Sequence, residues 1–195
     1  MSPSAPDSVR LARTSDVDDI ARVQVAAWRA AYAGVLPAEV LDALDPDEIA
    51  WEWGRALLQP GPHRLLVALD GEGGVAGAAA VGPSADPDAA GAGEISLLVI
   101  DPPHWREGHG SRLLQASVDH LVAGGHREAV AWVPLADEPR RAFLQSAGWG
   151  PDTAYRDREV GADVLREVRL VTVIADEESP ESELGSPPEA AKGSI

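Results

Sequence analysis

The segment formed by residues 94–114 constrains the fold of this chain more than any other. An apolar strand is followed there by a loop that contains Gly108 and Gly110, and then by an amphipathic helix. Glycines at such a turn let the backbone approach a ligand with its N–H groups pointing inward, and the helix adds the positive end of its dipole. The pattern therefore predicts a strand–turn–helix unit with an anion site suited to a pyrophosphate, reinforced by Arg106 and Arg112.

The rest of the chain alternates predicted strands and helices. Side-chain periodicity and turn signals predict strands over residues 9–11, 64–69, 75–81, 94–100, 129–133, 156–160 and 165–174. Helices are predicted over residues 17–31, over 38–58 with a break at Pro46, from the glycine loop to Gly124, and over 138–147. Three strands in a row followed by alternation predict an α/β (α+β) fold, a mixed central sheet of about seven strands flanked by about four helices.

Length and composition favour one folded domain with loose ends. At 195 residues the chain suits a single domain, which we place at residues 8–175. Residues 1–7 are expected to form a flexible N-terminus. Residues 176–195 are rich in Glu, Ser, Pro and Gly, and their acids greatly outnumber Lys192, so a disordered acidic tail is expected there.

The acidic composition excludes several classes of partner. The chain has 16 Lys and Arg against 32 Asp and Glu, a net charge of −16. Phosphate backbones and anionic membrane surfaces attract basic faces, so neither nucleic acid nor membrane is an expected partner. No stretch approaches the roughly 18 apolar residues of a membrane span, and residues 1–7 lack the pattern of a signal peptide, so the expected location is cytoplasmic.

The sequence has no cysteine, and Lys192 is its only lysine. This composition excludes disulfides, thiolate zinc sites and a cysteine nucleophile, and it excludes a P-loop or Schiff-base lysine within the domain. His104 and His109 lie close together in the sequence, but no third ligand with the spacing of a known metal motif accompanies them. No metal is therefore expected.

Three segments carry a family resemblance. Ile100-Asp-Pro followed by Trp105-Arg-Glu-Gly108-His-Gly110 resembles the acetyl-CoA signature Arg/Gln-x-x-Gly-x-Gly/Ala of the GNAT superfamily of N-acetyltransferases. Trp28-Arg-Ala-Ala-Tyr32-Ala-Gly-Val-Leu-Pro37 is similar to a stretch in the first helices of many bacterial members. The helix of residues 137–149, which contains Phe143 and ends in Gly148-Trp149, is similar to a further helix of the family. The resemblance covers residues 8–175.

The resemblance implies a GNAT acyl-CoA N-acyltransferase fold with acetyl-CoA as co-substrate. It implies transfer of the acetyl group to a primary amine by direct attack in a ternary complex. In the family, the strand before the loop has a bulge, and the pantetheine arm pairs with its exposed backbone like an added strand. The residues that the resemblance assigns to the cofactor are Leu98, Val99, Ile100, Arg106, Glu107, Gly108, His109, Gly110, Ser111 and Arg112.

The resemblance also implies an acceptor pocket and partners. Trp28 and Tyr32 are expected to line that pocket. The acceptor would be a small-molecule or peptide amine, and the acidic domain favours a cationic one through electrostatic steering. A homodimer is the family's expected assembly.

The catalytic residues follow from the same resemblance. Glu94, at the start of the strand, is the expected general base, because the attacking amine must lose a proton; the alternative is a solvated glutamate at a strand end. Leu144 replaces the tyrosine that often protonates the departing thiolate, so Tyr155 or a water would substitute for it. Tyr155 is alternatively a packed aromatic residue. A backbone N–H near Leu98 or Val99 would bind the thioester oxygen.

Three departures from the family pattern motivate a second function class. Trp105 replaces the usual Arg or Gln, Glu107 stands where a cation is common, and Leu144 removes the usual acid. The alternative is therefore a CoA-binding regulatory module of the same fold with weak or no catalysis.

Overall fold

Seven strands and five helices make up the described part of the chain, residues 8–161 and 163–175, in the computed structural model. The strands are β1 (Ser8–Leu11), β2 (Arg64–Leu69), β3 (Val75–Pro83), β4 (Gly93–Ile100), β5 (Glu128–Pro134), β6 (Gly150–Val160) and β7 (Asp163–Val173). The helices are α1 (Val17–Tyr32), α2 (Ala38–Asp42), α3 (Pro46–Leu58), α4 (His109–Ala123) and α5 (Glu138–Ser146). The predicted flexible N-terminus (1–7) and acidic tail (176–195) lie outside the described residues.

All seven strands form one mixed sheet in the order β1-β2-β3-β4-β5-β7-β6, which confirms the predicted architecture. Neighbouring strands are antiparallel except for β4 and β5, which run parallel. These two strands pair only at Gly93 with Ala129 and at Glu94 with Val130. Beyond these two pairs they diverge, and a wedge opens in the middle of the sheet.

Helices cover both faces of the first half of the sheet. In β2, Leu65 and Val67 pack toward α1, whereas Leu66 and Ala68 pack against the opposite layer that contains Leu113 of α4. Successive side chains of a strand point to opposite faces, so a strand buried on both sides reads as a continuous apolar run. The uninterrupted apolar sequences of β2, after Arg64, and of β3 follow from this arrangement, whereas β4 contains Glu94 and Ser96.

A bulge interrupts β4 beside the wedge. The register of β3 with β4 passes from Ala80 opposite Leu97 to Val81 opposite Ile95, which leaves Ser96 as an extra residue on β4. An extra residue bends its strand and increases the local twist. The bulge expected from the family resemblance is therefore present.

The helix predicted over 38–58 with a break at Pro46 is divided as expected into α2 and α3, because Asp45 caps α3 by accepting from the Asp47 N–H and Pro46 starts a new helix. One strand differs from the sequence-based expectation. Strand β6 begins at Gly150 rather than at 156. Its first part contains an irregularity in which Thr153 has a φ of 74°, and this break hides the strand periodicity. None of the helices in the described ranges is long and apolar enough to cross a bilayer.

Candidate active site

Helix α4 presents an uncapped N-terminus to the loop that follows β4. Gly108 occupies the N-cap position with a φ of 85°, and no side chain caps the helix. The first N–H groups of an α-helix have no partner within it, and they carry the positive end of the helix dipole. An anion in front of α4 would satisfy these donors. The turn therefore fits the pyrophosphate of a nucleotide cofactor.

The two glycines of this turn differ in whether a side chain could replace the hydrogen at their Cα. The positive φ of Gly108 lies in the region that L-residues avoid, and a Cβ there would meet the Arg112 guanidinium at 2.9 Å. A Cβ on Gly110 would instead meet Phe143 at 3.6 Å and Ile100 at 3.8 Å, which are ordinary packing distances. Gly108 is thus required by backbone geometry, whereas Gly110 has room for a methyl group.

Two contacts hold the loop against the end of β4. The Trp105 indole N–H donates to the Ile100 carbonyl at 2.9 Å. Asp101 is buried and accepts from Arg22 of α1 at 2.6 Å. A charge-assisted bond of this length fixes the loop's entry point. Sequence reasoning missed the Arg22–Asp101 pair, because 79 residues separate its members.

Glu107 is engaged by two histidines of the same loop. Its carboxylate lies 2.9 Å from His104 Nδ1 and 3.6 Å from His109 Nε2. The hydrogen bond with His104 lowers the pKa of Glu107. Potential ligand atoms of all three residues lie within 4.8 Å of one another, so Glu107 is the third potential metal ligand that sequence spacing did not reveal. The expectation of no metal stays a prediction.

The residues assigned to the cofactor divide into backbone and side-chain classes. His109 is 2% exposed and Val99 is buried in the α1 layer, so these two can face a ligand only through their backbone atoms. Leu98 and Ile100 pack in the layer of α4. Arg106 and Ser111 are exposed, and Arg112 lies 3.0 Å from His109 Nδ1. The loop thus offers mainly its backbone.

A cavity of about 260 Å³ lies beside the wedge between β4 and β5. Trp28 and Tyr32, the residues expected to contact the acceptor, both line it, together with Glu94. Tyr32 is buried, and this burial raises the pKa of its phenol, against the opposing charge of Arg140. The phenol therefore keeps its proton at neutral pH.

Glu94 lies where β4 and β5 separate. It is the last residue of β4 that pairs with β5, and it accepts from the Ser84 hydroxyl at 3.1 Å. Its side chain lines the first cavity and also a second one, formed with the irregular start of β6. Its carboxylate can therefore be approached from both cavities.

Tyr155 and Leu144 take different positions. Tyr155 is 63% exposed, stacks with the Arg166 guanidinium at 4.8 Å, and lines the second cavity rather than the first. Leu144 is 2% exposed and packs in the core with Trp149 and Leu170. Leu144 is thus a core residue, and Tyr155 shares a cavity with Glu94.

Sequence reasoning missed the hairpin side of the first cavity. Arg156, Arg158 and Glu167 line it, and Trp132 of β5 lines it beside them. Arg156 and Arg158 occupy alternate positions of β6, and residues two apart on a strand share a face. That alternation was the available signal, but the partner Glu167 comes from β7 and becomes visible only with the register.

Known proteins are similar to this chain in sequence and in fold. Residues 24–149 match the model of the Acetyltransferase (GNAT) family. The chain is 29% identical over 164 residues to the uncharacterised N-acetyltransferase YuaI of Bacillus subtilis, covering 84% of this chain and 91% of that protein.

Solved structures share the fold. One is the PaiA N-acetyltransferase of Thermoplasma acidophilum in complex with coenzyme A, with a TM-score of 0.63, 17% identity, and 84% and 98% of the two chains covered. Another is YncA of Salmonella typhimurium with its cofactor acetyl-CoA, with a TM-score of 0.65, 21% identity, and 91% and 99% of the two chains covered. The fold expected from the resemblance is confirmed.

Proposed function

The chain belongs to the GNAT acetyltransferase family and uses acetyl-CoA as co-substrate, and from this premise we propose that it acetylates the primary amine of a small acceptor. The attack on the thioester is direct, within a ternary complex of enzyme, acetyl-CoA and amine. The sequence has no cysteine to form a covalent acetyl-enzyme. When bound, acetyl-CoA supplies the activated acetyl group, and the protein supplies orientation and proton transfer.

The residues of the loop fit the cofactor. The uncapped N-terminus of α4 and the backbone around Gly108 would hold the pyrophosphate. The edge of β4 that faces the wedge is unpaired beyond Glu94, so backbone at Leu98 to Ile100 is available to the pantetheine arm. An N–H of this edge would bind the thioester oxygen as negative charge grows on it, and one such donor contributes about 3 kcal/mol to lowering the barrier.

The position of Glu94 carries the proposal. An amine is protonated at neutral pH, and it can attack only after losing that proton. Glu94 lies at the opening of the wedge and lines the cavity that also contains Trp28 and Tyr32. Its carboxylate would accept the proton, directly or through one water. Tyr155, or a water in the second cavity, would protonate the departing thiolate.

Replacing Glu94 with glutamine tests the proposal. In an assay that measures free CoA over a panel of amines, Glu94→Gln should lower kcat by about 100-fold, the low end of general-base catalysis. CoA affinity in calorimetry should stay at the wild-type value.

Glu128→Gln is the matched control, because Glu128 is an exposed glutamate at the start of the neighbouring strand β5. We expect wild-type kcat for this variant. An unchanged kcat in Glu94→Gln would remove Glu94 from the mechanism. Binding of CoA without turnover of any amine by the wild-type protein would favour the regulatory CoA-binding module instead.

A further inference from the structure

We propose that the acceptor is an amine that also has an anionic group, as a small α-amino acid has, and that Arg156 and Arg158 bind this group. The inference rests on the proposed function, because it concerns the acceptor of the same reaction. It adds the chemical class of that acceptor and the residues that select it.

The charges of the hairpin wall are unbalanced. Glu167 is buried, with an Nε–Oε2 distance of 2.6 Å to Arg156 and 3.7 Å to Arg158. Two guanidinium groups thus share one carboxylate, and one positive charge remains on the cavity side of the hairpin. This surplus is local, since the whole chain has a net charge of −16.

The guanidinium groups also have unused donors. Among the residues that the structure describes, Arg156 uses only Nε in a protein hydrogen bond, and Arg158 makes only the long ion pair with Glu167. Arg156 lies 4.4 Å above the ring of Trp132, which holds its planar group in place. A held guanidinium fork binds a carboxylate through two parallel hydrogen bonds at little further ordering cost.

The cavity places this anion site and the proposed base in one space. Glu94 lines the same cavity of about 260 Å³ as Arg156 and Arg158. An acceptor with its anionic group at the arginines would be oriented with its amine toward Glu94. Leu36, Val40 and Leu44 add an apolar wall that suits an aliphatic or aromatic substituent.

This acceptor class differs from the cationic acceptor expected from net charge. An amino acid is a zwitterion at neutral pH, so the acidic field of the whole protein neither repels nor attracts its net charge. Selection then depends on the local arrangement. The arginine pair would recognise the anion, and Glu94 would take the proton from the ammonium group.

Matched acceptors test the inference. L-Leucine is compared with 3-methylbutylamine and L-leucinamide, and L-phenylalanine with 2-phenylethylamine and L-phenylalaninamide, using the full chain, acetyl-CoA and a free-CoA readout. We expect kcat/KM for the amino acid to exceed both analogues by about 30-fold, or about 2 kcal/mol, the value of a charge-assisted hydrogen-bond pair. The amide is less basic than the amino acid, so amine basicity alone would favour the amide over the amino acid, and the amide comparison therefore isolates the anionic group.

The Arg158→Gln variant tests the residue assignment. Its side chain is 56% exposed, so the fold should tolerate the change. We expect KM for leucine to rise about 10-fold with KM for 3-methylbutylamine unchanged. Arg55→Gln, which removes an exposed arginine stacked on Trp51, is the charge-matched control and should leave both values unchanged.

The outcomes distinguish a failure of the anionic-acceptor inference from a failure of the proposed transferase function. Equal or better use of the amines or amides would overturn the anionic acceptor and leave the transferase intact. An equal loss for leucine and 3-methylbutylamine in Arg158→Gln would also overturn the assignment. Release of CoA by no member of either series, with turnover of other amines in the panel, would overturn the inference alone. Release of CoA by no amine of the whole panel would overturn it together with the proposed function.

Discussion

The loop before α4 and the β6–β7 hairpin border the same proposed site, but the first contributes backbone atoms and the second contributes side chains. The loop offers backbone N–H groups, with Gly108 in a conformation that only glycine adopts easily. The hairpin offers side chains, with Arg156 and Glu167 brought together across two strands. The difference teaches that a backbone site depends on local conformation, whereas a side-chain site depends on register and packing.

The largest effect is expected from a variant that disrupts the backbone site, the loop around Gly108. Gly108→Asp would place a carboxylate in front of the α4 N-terminus, where the pyrophosphate is proposed to bind. We expect CoA affinity to fall by about 100-fold or more, because two charge-assisted hydrogen bonds are lost and like charges meet. The fold should survive, because Asp tolerates a positive φ better than most residues, the strain costs about 1–2 kcal/mol, and the new Cβ meets only the end of the Arg112 side chain. Calorimetric titration with CoA measures the change.

Gly110→Ala is the control for this variant. The methyl group would point toward Phe143 and Ile100 at packing distances, away from the proposed anion site. Alanine is also about 1 kcal/mol more favourable than glycine within a helix. CoA affinity should therefore stay at the wild-type value with slightly higher stability. Wild-type affinity in Gly108→Asp would contradict the placement of the cofactor.

A smaller effect, on stability, is expected from disrupting the side-chain site, the Arg156–Glu167 pair of the β6–β7 hairpin. Arg156→Met leaves Glu167 buried with only the distant Arg158 as partner. Losing one member of a fully buried pair costs several kcal/mol, but Arg156 is partly exposed, so we expect a loss of about 1–2 kcal/mol in the free energy of unfolding. Urea denaturation measures this loss.

The double variant Arg156→Met/Glu167→Gln sharpens this result. Removing the unpaired charge should recover part of the lost stability, giving a favourable coupling energy in the double-mutant cycle. Arg158→Gln should cost less than about 0.5 kcal/mol, as expected for an exposed pair. Wild-type stability of Arg156→Met would mean that Glu167 does not depend on this partner.

The same contrast explains how much the sequence could predict. Strands β2 and β3 were predicted because both of their faces are buried, and their apolar runs are continuous in the sequence. Strand β4 was predicted from its largely apolar sequence. The loop was predicted because a strand, two glycines and a helix start are neighbours along the chain. The β6 start was missed because an irregularity around Thr153 breaks its alternation.

The acceptor cavity was predicted only in part. Trp28, Tyr32 and Glu94 were identified through the family resemblance, whereas Arg156 and Glu167 were not. Their roles arise from the pairing of β6 with β7 and of β7 with β5. Such contacts join residues distant in the sequence, so local sequence patterns cannot predict them.

The smallest expected effect concerns Tyr32, whose side chain lines the acceptor cavity. Because burial raises the pKa of its phenol, the folded state holds this proton at pH values where the unfolded state has lost it. Stability should therefore be independent of this group below pH of about 10, the ordinary tyrosine value, and fall as pH rises above it. Tyr32→Phe should reduce that alkaline loss in urea denaturation measured at neutral and alkaline pH. Tyr155→Phe removes a phenol at the surface and is the matched control. If Tyr32→Phe lost as much stability at alkaline pH as the wild type, the Tyr32 phenol would not be held protonated by its burial.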